Sequence, residues 1–506
     1  MATEGLGSEF DVIVVGSGIS GISAACHLKM EAPDRSFVVL EGRERLGGTW
    51  DLFRYPGIRS DSDMHTLGFA FKPWKHEKSI ADGPAILDYL HETIDEYGLA
   101  PHLRFNSRVK AVAWDSETAR WTIDVGQADG TTVQMRSRFL HMCTGYYSYS
   151  DPYVPDFPGK ADFKGAFFHP QFWPEDLDYT GKKVAVIGSG ATAVTIVPAI
   201  AETGAGQVTM IQRSPTWFLH RPAKDGFANT LRKILPERIA YGITRFKNIN
   251  MQDHFYKGCI KDPAKWGEKL LEATAEHLPQ GYDVQTHFKP RYNPWEQRMC
   301  LVPDSDMFQA IGSGKAEMVT DTIERITETG IQMTSGRHID ADIIVSATGL
   351  KMEIMSGVSL TVDGAPVRVG ETFSYKGCMY SNVPNLASTF GYSNASWTLK
   401  ADLISAYVCR LLNHMKETGT DIAVAVPHGV KEHEAGMMNL TSGYVQRAKG
   451  LVPLQGDIDP WLIHHDYGLD KKLMKYGKLE DGALEFRKAG RVAKSDEAEE
   501  LAIAAE

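Results

Sequence analysis

The uninterrupted apolar run Val12–Val15 leads straight into Gly16-Ser17-Gly18-Ile19-Ser20-Gly21, then a helix-compatible stretch to Met30 with Pro33 just beyond. A β-branched run of this kind is the pattern of a parallel strand buried on both faces, and a proline marks where a helix has stopped. A second strand is expected over Ser36–Leu40, closed by Glu41. The same order recurs later. Strand Lys183–Ile187 feeds Gly188-Ser189-Gly190-Ala191-Thr192-Ala193 and an apolar helical segment, and strand Gln207–Gln212 closes on Arg213-Ser214. Short strands separated by turns, expected to pair antiparallel, follow each unit. In the first half they are Val109–Trp114, Trp121–Val125, Thr132–Met135 and a last strand from Phe139 to Gly145. In the second they are Met318–Thr320, Ile331–Thr334 and Asp342–Gly349, so that both halves end Thr-Gly.

The rest of the pattern arranges these two units. A proline-rich connector, Pro152–Pro158, marks a boundary. Ala228–Phe246 and Pro263–His277 show helical periodicity and predict a helical insertion over about 216–300. Membrane contact by that insertion is disfavoured, because its basic and acidic side chains are interspersed. A helix is expected near Thr398–Thr418, and the Ala/Glu/Lys tail from about Lys488 is expected to be disordered. The prediction is an α/β fold of two Rossmann-like dinucleotide-binding domains, the second inserted in the first. Residues 1–157 and 350–506 form one domain, and 158–349 form the other with its helical insertion.

Strand, glycine turn, helix and strand make a dinucleotide site for physical reasons. The glycines allow a tight turn and let backbone N–H groups approach a pyrophosphate at a helix N-terminus. That assigns Gly16, Ser17, Gly18, Ser20 and Gly21 to one nucleotide, and Gly188, Ser189, Gly190, Ala191, Thr192 and Ala193 to another. Glu41 stands twenty residues after Gly21, where a carboxylate accepts hydrogen bonds from a ribose diol. Arg213 stands twenty residues after Ala193, where an arginine with Ser214 suits the 2′-phosphate of NADP.

Composition narrows the partners. The 506 residues are 43% hydrophobic and 23% charged, as in an ordinary globular protein. A net charge of −10 argues against nucleic acid as a partner. No apolar run reaches the ~18 residues a bilayer span requires, so no integral membrane segment is expected. Met1–Glu9 lacks the basic region of a signal peptide. The six cysteines are scattered without a CxxC pair or metal-ligand spacing, which predicts reduced thiols in a cytoplasmic protein and no metal. The pattern specifies no oligomeric state.

Two dinucleotide sites in one chain imply hydride transfer between cofactors: FAD at the Glu41 site and NADPH at the Arg213 site. A redox cysteine pair soon after the first glycine turn would pass electrons to a disulfide, and none is present. Oxygen is then the acceptor, in a monooxygenase or an oxidase.

Phe163-x-Gly165-x-x-x-His169-x-x-x-Trp173-Pro174 resembles, at every fixed position, the fingerprint of type I Baeyer–Villiger monooxygenases. Gly47-Gly48-x-Trp50, continuing through Tyr55-Pro56-Gly57 to Asp61, is similar to that family's longer signature. Trp50–Asp63, Tyr292–Arg298 and Tyr392–Lys400 are most similar to the ethionamide-activating branch. The resemblance runs from about Phe10 to beyond Ala401. It implies insertion of one atom of O2 beside a ketone carbonyl through a flavin peroxide, giving an ester or lactone, and oxidation of sulfides as well. A sulfur- or nitrogen-oxygenating flavin monooxygenase is the alternative of the same fold. A flavin-dependent reductase or redox sensor without oxygen transfer is the alternative of another class.

The resemblance also implies roles. Gly48, Thr49, Trp50, Arg59, Ser60, Asp61 and Val109 would join the flavin site. Arg298 would be the fixed cation that stabilises the peroxide and the charged adduct, with Asp61 beside it as an orienting carboxylate. An arginine suits that task because it stays protonated. His169 and Trp173 would couple the two domains instead of moving protons. Gln297 stands where many family members carry a lysine near the NADP phosphate, which leaves Arg213 and Ser214 to select NADPH over NADH.

Overall fold

The computed structural model describes residues 8–490. The larger of its two main sheets has nine strands. β1 (Glu9–Val15) is paired in parallel with β2 (Phe37–Leu40) on one side. Val12, Ile13 and Val14 are wholly buried, as the β-branched run predicts. Helix α1 (Ile19–Glu31) crosses between the two strands. It can lie close because Gly21, Ser23, Ala24 and Ala25 are small; a Cβ added at Gly21 would stand 1.8 Å from the Gly16 carbonyl oxygen.

The strands β3 (Arg108–Asp115), β4 (Arg120–Gly126) and β5 (Thr132–Met142) form an antiparallel meander. β5 corrects the sequence reading, which divided it into Thr132–Met135 and a strand beginning at Phe139. One eleven-residue strand runs through. Its first half pairs with β4, and its second half pairs in parallel with β1. Ser137, which reads as part of a polar break, is fully buried. Its hydroxyl donates to the Phe139 carbonyl at 2.5 Å and accepts from the Phe139 amide at 3.1 Å, so it satisfies itself inside the sheet.

The second sheet is five-stranded and parallel. It comprises β6 (Ala166–Phe168), β7 (Lys183–Ile187), β8 (Gln207–Gln212), β9 (Ala316–Thr320) and β10 (Ile343–Ser346). Their order across the sheet is β9, β8, β7, β10, β6. Helix α2 (Ala191–Glu202) follows β7. Met318–Thr320 therefore does not belong to an antiparallel set as expected from sequence; it extends the parallel sheet beside β8. The antiparallel set is a separate three-stranded sheet over 323–340.

The insertion is helical, but Ala228–Phe246 is not one helix. Pro236 has no N–H to continue the ladder, so α3 (Gly226–Ile234) ends before it and α4 (Glu237–Lys261) begins after it. α5 (Pro263–Ala275) follows. After the second sheet the chain returns to the first, where β11 (Leu386–Ser388) pairs with β5. α6 (Trp397–Thr418) then packs along α1. The Ala/Glu/Lys tail expected to be disordered lies, beyond Gly490, outside the described residues.

Both passages of chain between the sheets run side by side. Tyr147 and Met352 form an antiparallel bridge, flanked by hydrogen bonds from Glu353 N to Tyr146 O and from Ser148 N to Lys351 O, each 2.9 Å. Lys351 and Asp151 add an ion pair.

Candidate active site

A cavity of about 580 Å³ begins at the first glycine turn. Gly16 holds a positive φ of 103°, and a side chain there would meet the Cys143 carbonyl at 2.5 Å. Gly18 faces Gly48 across the cavity, and a Cβ on Gly18 would stand 3.5 Å from the Gly48 Cα. Gly48 itself has φ 55°. No side chain caps the N-terminus of α1 at Gly18, whereas Asp82, Asp225, Asp262 and Asp283 each cap a helix with their carboxylates. The first N–H groups of α1 are left as donors for an anion. Glu41 is buried. Its Oε2 accepts from the Ser17 amide (2.9 Å) and hydroxyl (2.8 Å), and its Oε1 accepts from the Arg43 amide (2.9 Å). A carboxylate has about four acceptor sites, so one position on Oε1 is left for a ribose hydroxyl.

Of the residues assigned to the flavin, Gly16, Gly18, Ser20, Glu41, Gly48, Thr49, Trp50, Arg59, Ser60, Asp61 and Val109 line this cavity. Ser17 and Gly21 do not: both are buried behind it, Ser17 against Glu41 and Gly21 against the turn's own backbone. Arg59 is turned partly away and forms an ion pair with Asp306.

Arg298 lies on the same wall, brought from the far side of the insertion. Arg298 and Asp61 are both exposed, and both line the cavity. Nε of Arg298 donates to the Ser393 carbonyl at 3.3 Å. Asp61 forms no ion pair with it within 4 Å, but the two charges act on each other: burial pushes the Asp61 carboxyl up, and Arg298 and then Arg59 pull it down. Burial disfavours the Arg298 charge, while Tyr146, Tyr444, Tyr147 and Asp61 outweigh it and hold the pKa above the ordinary guanidinium value. A cation that stays charged on the cavity wall can stabilise an oxyanion there.

The second glycine turn is more open. Gly188 (φ 143°) lies against the Ala347 carbonyl, 2.2 Å from where a Cβ would be, just as Gly16 lies against Cys143. A Cβ on Gly190 would meet nothing within 4 Å. α2 also begins at a glycine without a side-chain cap. Ala191 and Thr192 reach the first cavity, and Thr192 hydrogen-bonds Tyr55. Gly188, Ser189, Gly190, Ala193, Arg213 and Ser214 lie outside it. Ala193 is buried under the helix. Arg213 is exposed at the end of β8 and has no hydrogen bond or ion pair among the described residues. Gln297 is half-buried beside Arg298.

His169 lies between the sheets. Its Nε2 donates to the Gly349 carbonyl at 2.9 Å, and its Nδ1 accepts from the Gln171 amide at 3.1 Å. Those roles require the neutral ring, and burial lowers its pKa in the same sense. Gln171 donates to the Ser148 carbonyl at 3.0 Å, so the fingerprint grips both connecting passages. Trp173 packs edge-on against Phe168, 5.1 Å between ring centres.

Some contributors to the cavity escaped the sequence reading. Tyr146 and Tyr147 join hydroxyls at 2.6 Å beside Arg298, and Tyr149 hydrogen-bonds Thr49. Trp397 donates to the Ser20 hydroxyl at 2.7 Å. Three tyrosines within four residues of the Thr144-Gly145 strand end were the available signal.

The site and fold together define a protein with two glycine turns of the dinucleotide-binding type. Residues 79–355 match the flavin-binding monooxygenase-like family, and residues 14–79 match an NAD(P)-binding Rossmann-like domain. The FAD-containing monooxygenase EthA of Mycobacterium tuberculosis (strain ATCC 25618 / H37Rv) is 50% identical over 478 residues, 94% of this chain and 98% of that protein. The probable FAD-binding monooxygenase AlmA of Acinetobacter baylyi (strain ATCC 33305 / BD413 / ADP1) is 48% identical over 481 residues, 94% of this chain and 96% of that one. The structure of an oxidized steroid monooxygenase bound to NADP superposes with a TM-score of 0.75 at 22% identity, covering 95% of this chain and all of that one. The chain belongs to the flavin-binding monooxygenase-like family, and a flavin and an NAD(P) nucleotide are its cofactors.

Proposed function

We propose that this protein is an FAD- and NADPH-dependent Baeyer–Villiger monooxygenase that converts ketones to esters or lactones and also oxidises sulfides. Residues 1–157 and 350–506 form the FAD domain on this reading, and 158–349 the NADPH domain. The observation that carries it is the Arg298 guanidinium, fixed by Ser393 on the wall of the cavity that begins at the first glycine turn.

The residues fit the two cofactors. The uncapped start of α1 offers N–H donors to the FAD pyrophosphate, and the last acceptor position of Glu41 receives a ribose hydroxyl. The start of α2 does the same for NADPH, with Arg213 on the 2′-phosphate. Bound FAD would take a hydride from NADPH and activate O2. Arg298 holds its positive charge where negative charge develops on the substrate carbonyl oxygen. Asp61 keeps the local field balanced when no substrate is present. Tyr146 and Tyr147, joined through their hydroxyls, form the wall beside it.

Arg298→Ala is the test. The variant should bind FAD and be reduced by NADPH, yet lose oxygenation by roughly 10²–10³-fold, the loss typical of one oxyanion donor. NADPH oxidation would continue with hydrogen peroxide as the product. Arg298→Lys should restore little, because lysine lacks the planar fork and can lose its proton. Near-normal ester formation from a ketone panel by Arg298→Ala would refute the role. A wild-type enzyme yielding only sulfoxide or only peroxide would favour the two alternative classes respectively.

A further inference from the structure

α4 buries Ala240, Tyr241, Thr244 and Arg245 against the body of the protein. Ile239, Ile243 and Phe246 fall on the opposite side at the i, i+4, i+7 spacing of one helical stripe, and are 52, 41 and 70% exposed. Phe227 and Ile234, seven residues apart on α3, are 44 and 69% exposed. A group of large apolar side chains on adjacent helices marks an interaction face.

The charges around this stripe are one-sided. Residues 224–247 carry six basic side chains against two acidic ones, in a chain of net charge −10. Both acids are occupied. Asp225 caps α3 and pairs with Lys247 at 3.2 Å, and Glu237 lies 3.6 Å from Lys75. Lys233 and Arg238 flank Ile234 and Ile239; they are exposed and without a hydrogen bond or ion pair among the described residues. The acids of this segment are thus paired, while two of its exposed cations are not.

We propose that the α3–α4 face docks on an anionic lipid surface, with Ile234, Ile239, Ile243 and Phe246 at the headgroup boundary and Lys233 and Arg238 on the lipid phosphates. Apolar side chains alternating with free cations are the chemistry of an interfacial helix. A second cavity, about 770 Å³, opens at the same face. Phe246 and the 68% exposed Tyr476 line it, and Ala395 belongs to both its wall and that of the first cavity.

Flotation of the FAD-loaded full chain with vesicles tests the docking. Binding is expected to phosphatidylglycerol–phosphatidylcholine vesicles, weakening with salt, and not to phosphatidylcholine alone. Lys233→Glu with Arg238→Glu should weaken binding by roughly 30-fold or more. Ile239→Ser with Ile243→Ser should abolish the salt-resistant part. FAD content and NADPH oxidation in buffer should be unchanged in both variants, which separates loss of docking from loss of fold. The proposal falls if the wild type ignores anionic vesicles or both variants float as well as it does. It falls equally if the apolar variant only dissociates a homo-oligomer, since a second copy then covers the face.

Discussion

The two glycine turns share one design and differ in closure. In the first, the turn, Glu41 and Gly48 surround a cavity, and Glu41 spends three of its acceptor positions holding Ser17 and Arg43 in place. Behind it, α1 is braced by buried charge: His27 Nδ1 is 2.8 Å from Glu31, and its Nε2 is 3.9 Å from Asp402 on α6. In the second, α2 is held by apolar packing of Val194, Ile196, Val197 and their neighbours without such charges, Gly190 faces open space, and Arg213 has no ion pair among the described residues. A prearranged, enclosed cradle releases its ligand slowly, while an open one with a single charged latch exchanges it readily. On the proposed assignment, the same motif would serve a retained cofactor in one place and a passing one in the other.

The largest expected effect breaks the closed unit. Gly21→Ala would drive a Cβ into the Gly16 carbonyl, which is backbone and cannot step aside; flavin-free or insoluble protein is expected. Gly190→Ala, with φ −83° and free space, should leave flavin content and melting temperature unchanged while raising the KM for NADPH. Equal damage from both substitutions, read by flavin absorbance per chain, would erase the contrast.

Stability against pH should belong to the first unit. Burial alone would lower the His27 pKa, but Asp402 and Glu31 outweigh it and raise it to about 9. The folded value lies above the unfolded one, so this stabilisation is full below pH ~6.5 and is lost as pH rises through about 9. About 3 kcal/mol is at stake. Denaturant midpoints should fall across that range in the wild type and much less in His27→Gln; parallel curves would remove His27 from the account.

Arg213→Ala should loosen only the open unit. A charge-assisted bond to phosphate contributes about 1.5–3 kcal/mol, hence a rise of roughly 10–100-fold in KM for NADPH with little change for NADH. Equal changes with both coenzymes would take Arg213 off the 2′-phosphate. The smallest effect lies between the units. His169→Ala removes hydrogen bonds of about 1 kcal/mol and should slow flavin reduction several-fold in stopped flow, with FAD retained. Loss of FAD on purification would make His169 a structural residue only.

Both turns, their closing residues and the helix Trp397–Thr418 were legible because glycine spacing and β-branched runs are local signals. Other features depend on partners that a linear pattern does not contain. Ser137 reads as a break until its own hydroxyl is seen to satisfy the Phe139 backbone. Met318–Thr320 is a short apolar run, and nothing in its residues tells a parallel neighbour from an antiparallel one. Arg298 was reachable only through resemblance to a family, since spacing cannot bring it to Asp61, Tyr146 and Tyr147. The apolar stripe of α4 was hidden for a related reason: Arg245, which interrupts it in sequence, turns inward to the His65, Thr66 and Gly68 carbonyls.

The paired passages between the sheets have a mechanical meaning. Tyr146–Ser148 and Lys351–Glu353 are laced to each other, and His169 and Gln171 fasten both to the fingerprint. Two separate tethers would let the bodies slide and twist; two tethers laced into one ribbon leave a swing about its length. Shear would have to break several of these hydrogen bonds together, at about 1 kcal/mol each. A swing would instead strain the contacts away from the ribbon, such as Arg59 with Asp306 and Arg245 with the His65 and Gly68 carbonyls. Since Tyr146 and Tyr147 sit on that axis, the wall beside Arg298 would move least when the sheets swing.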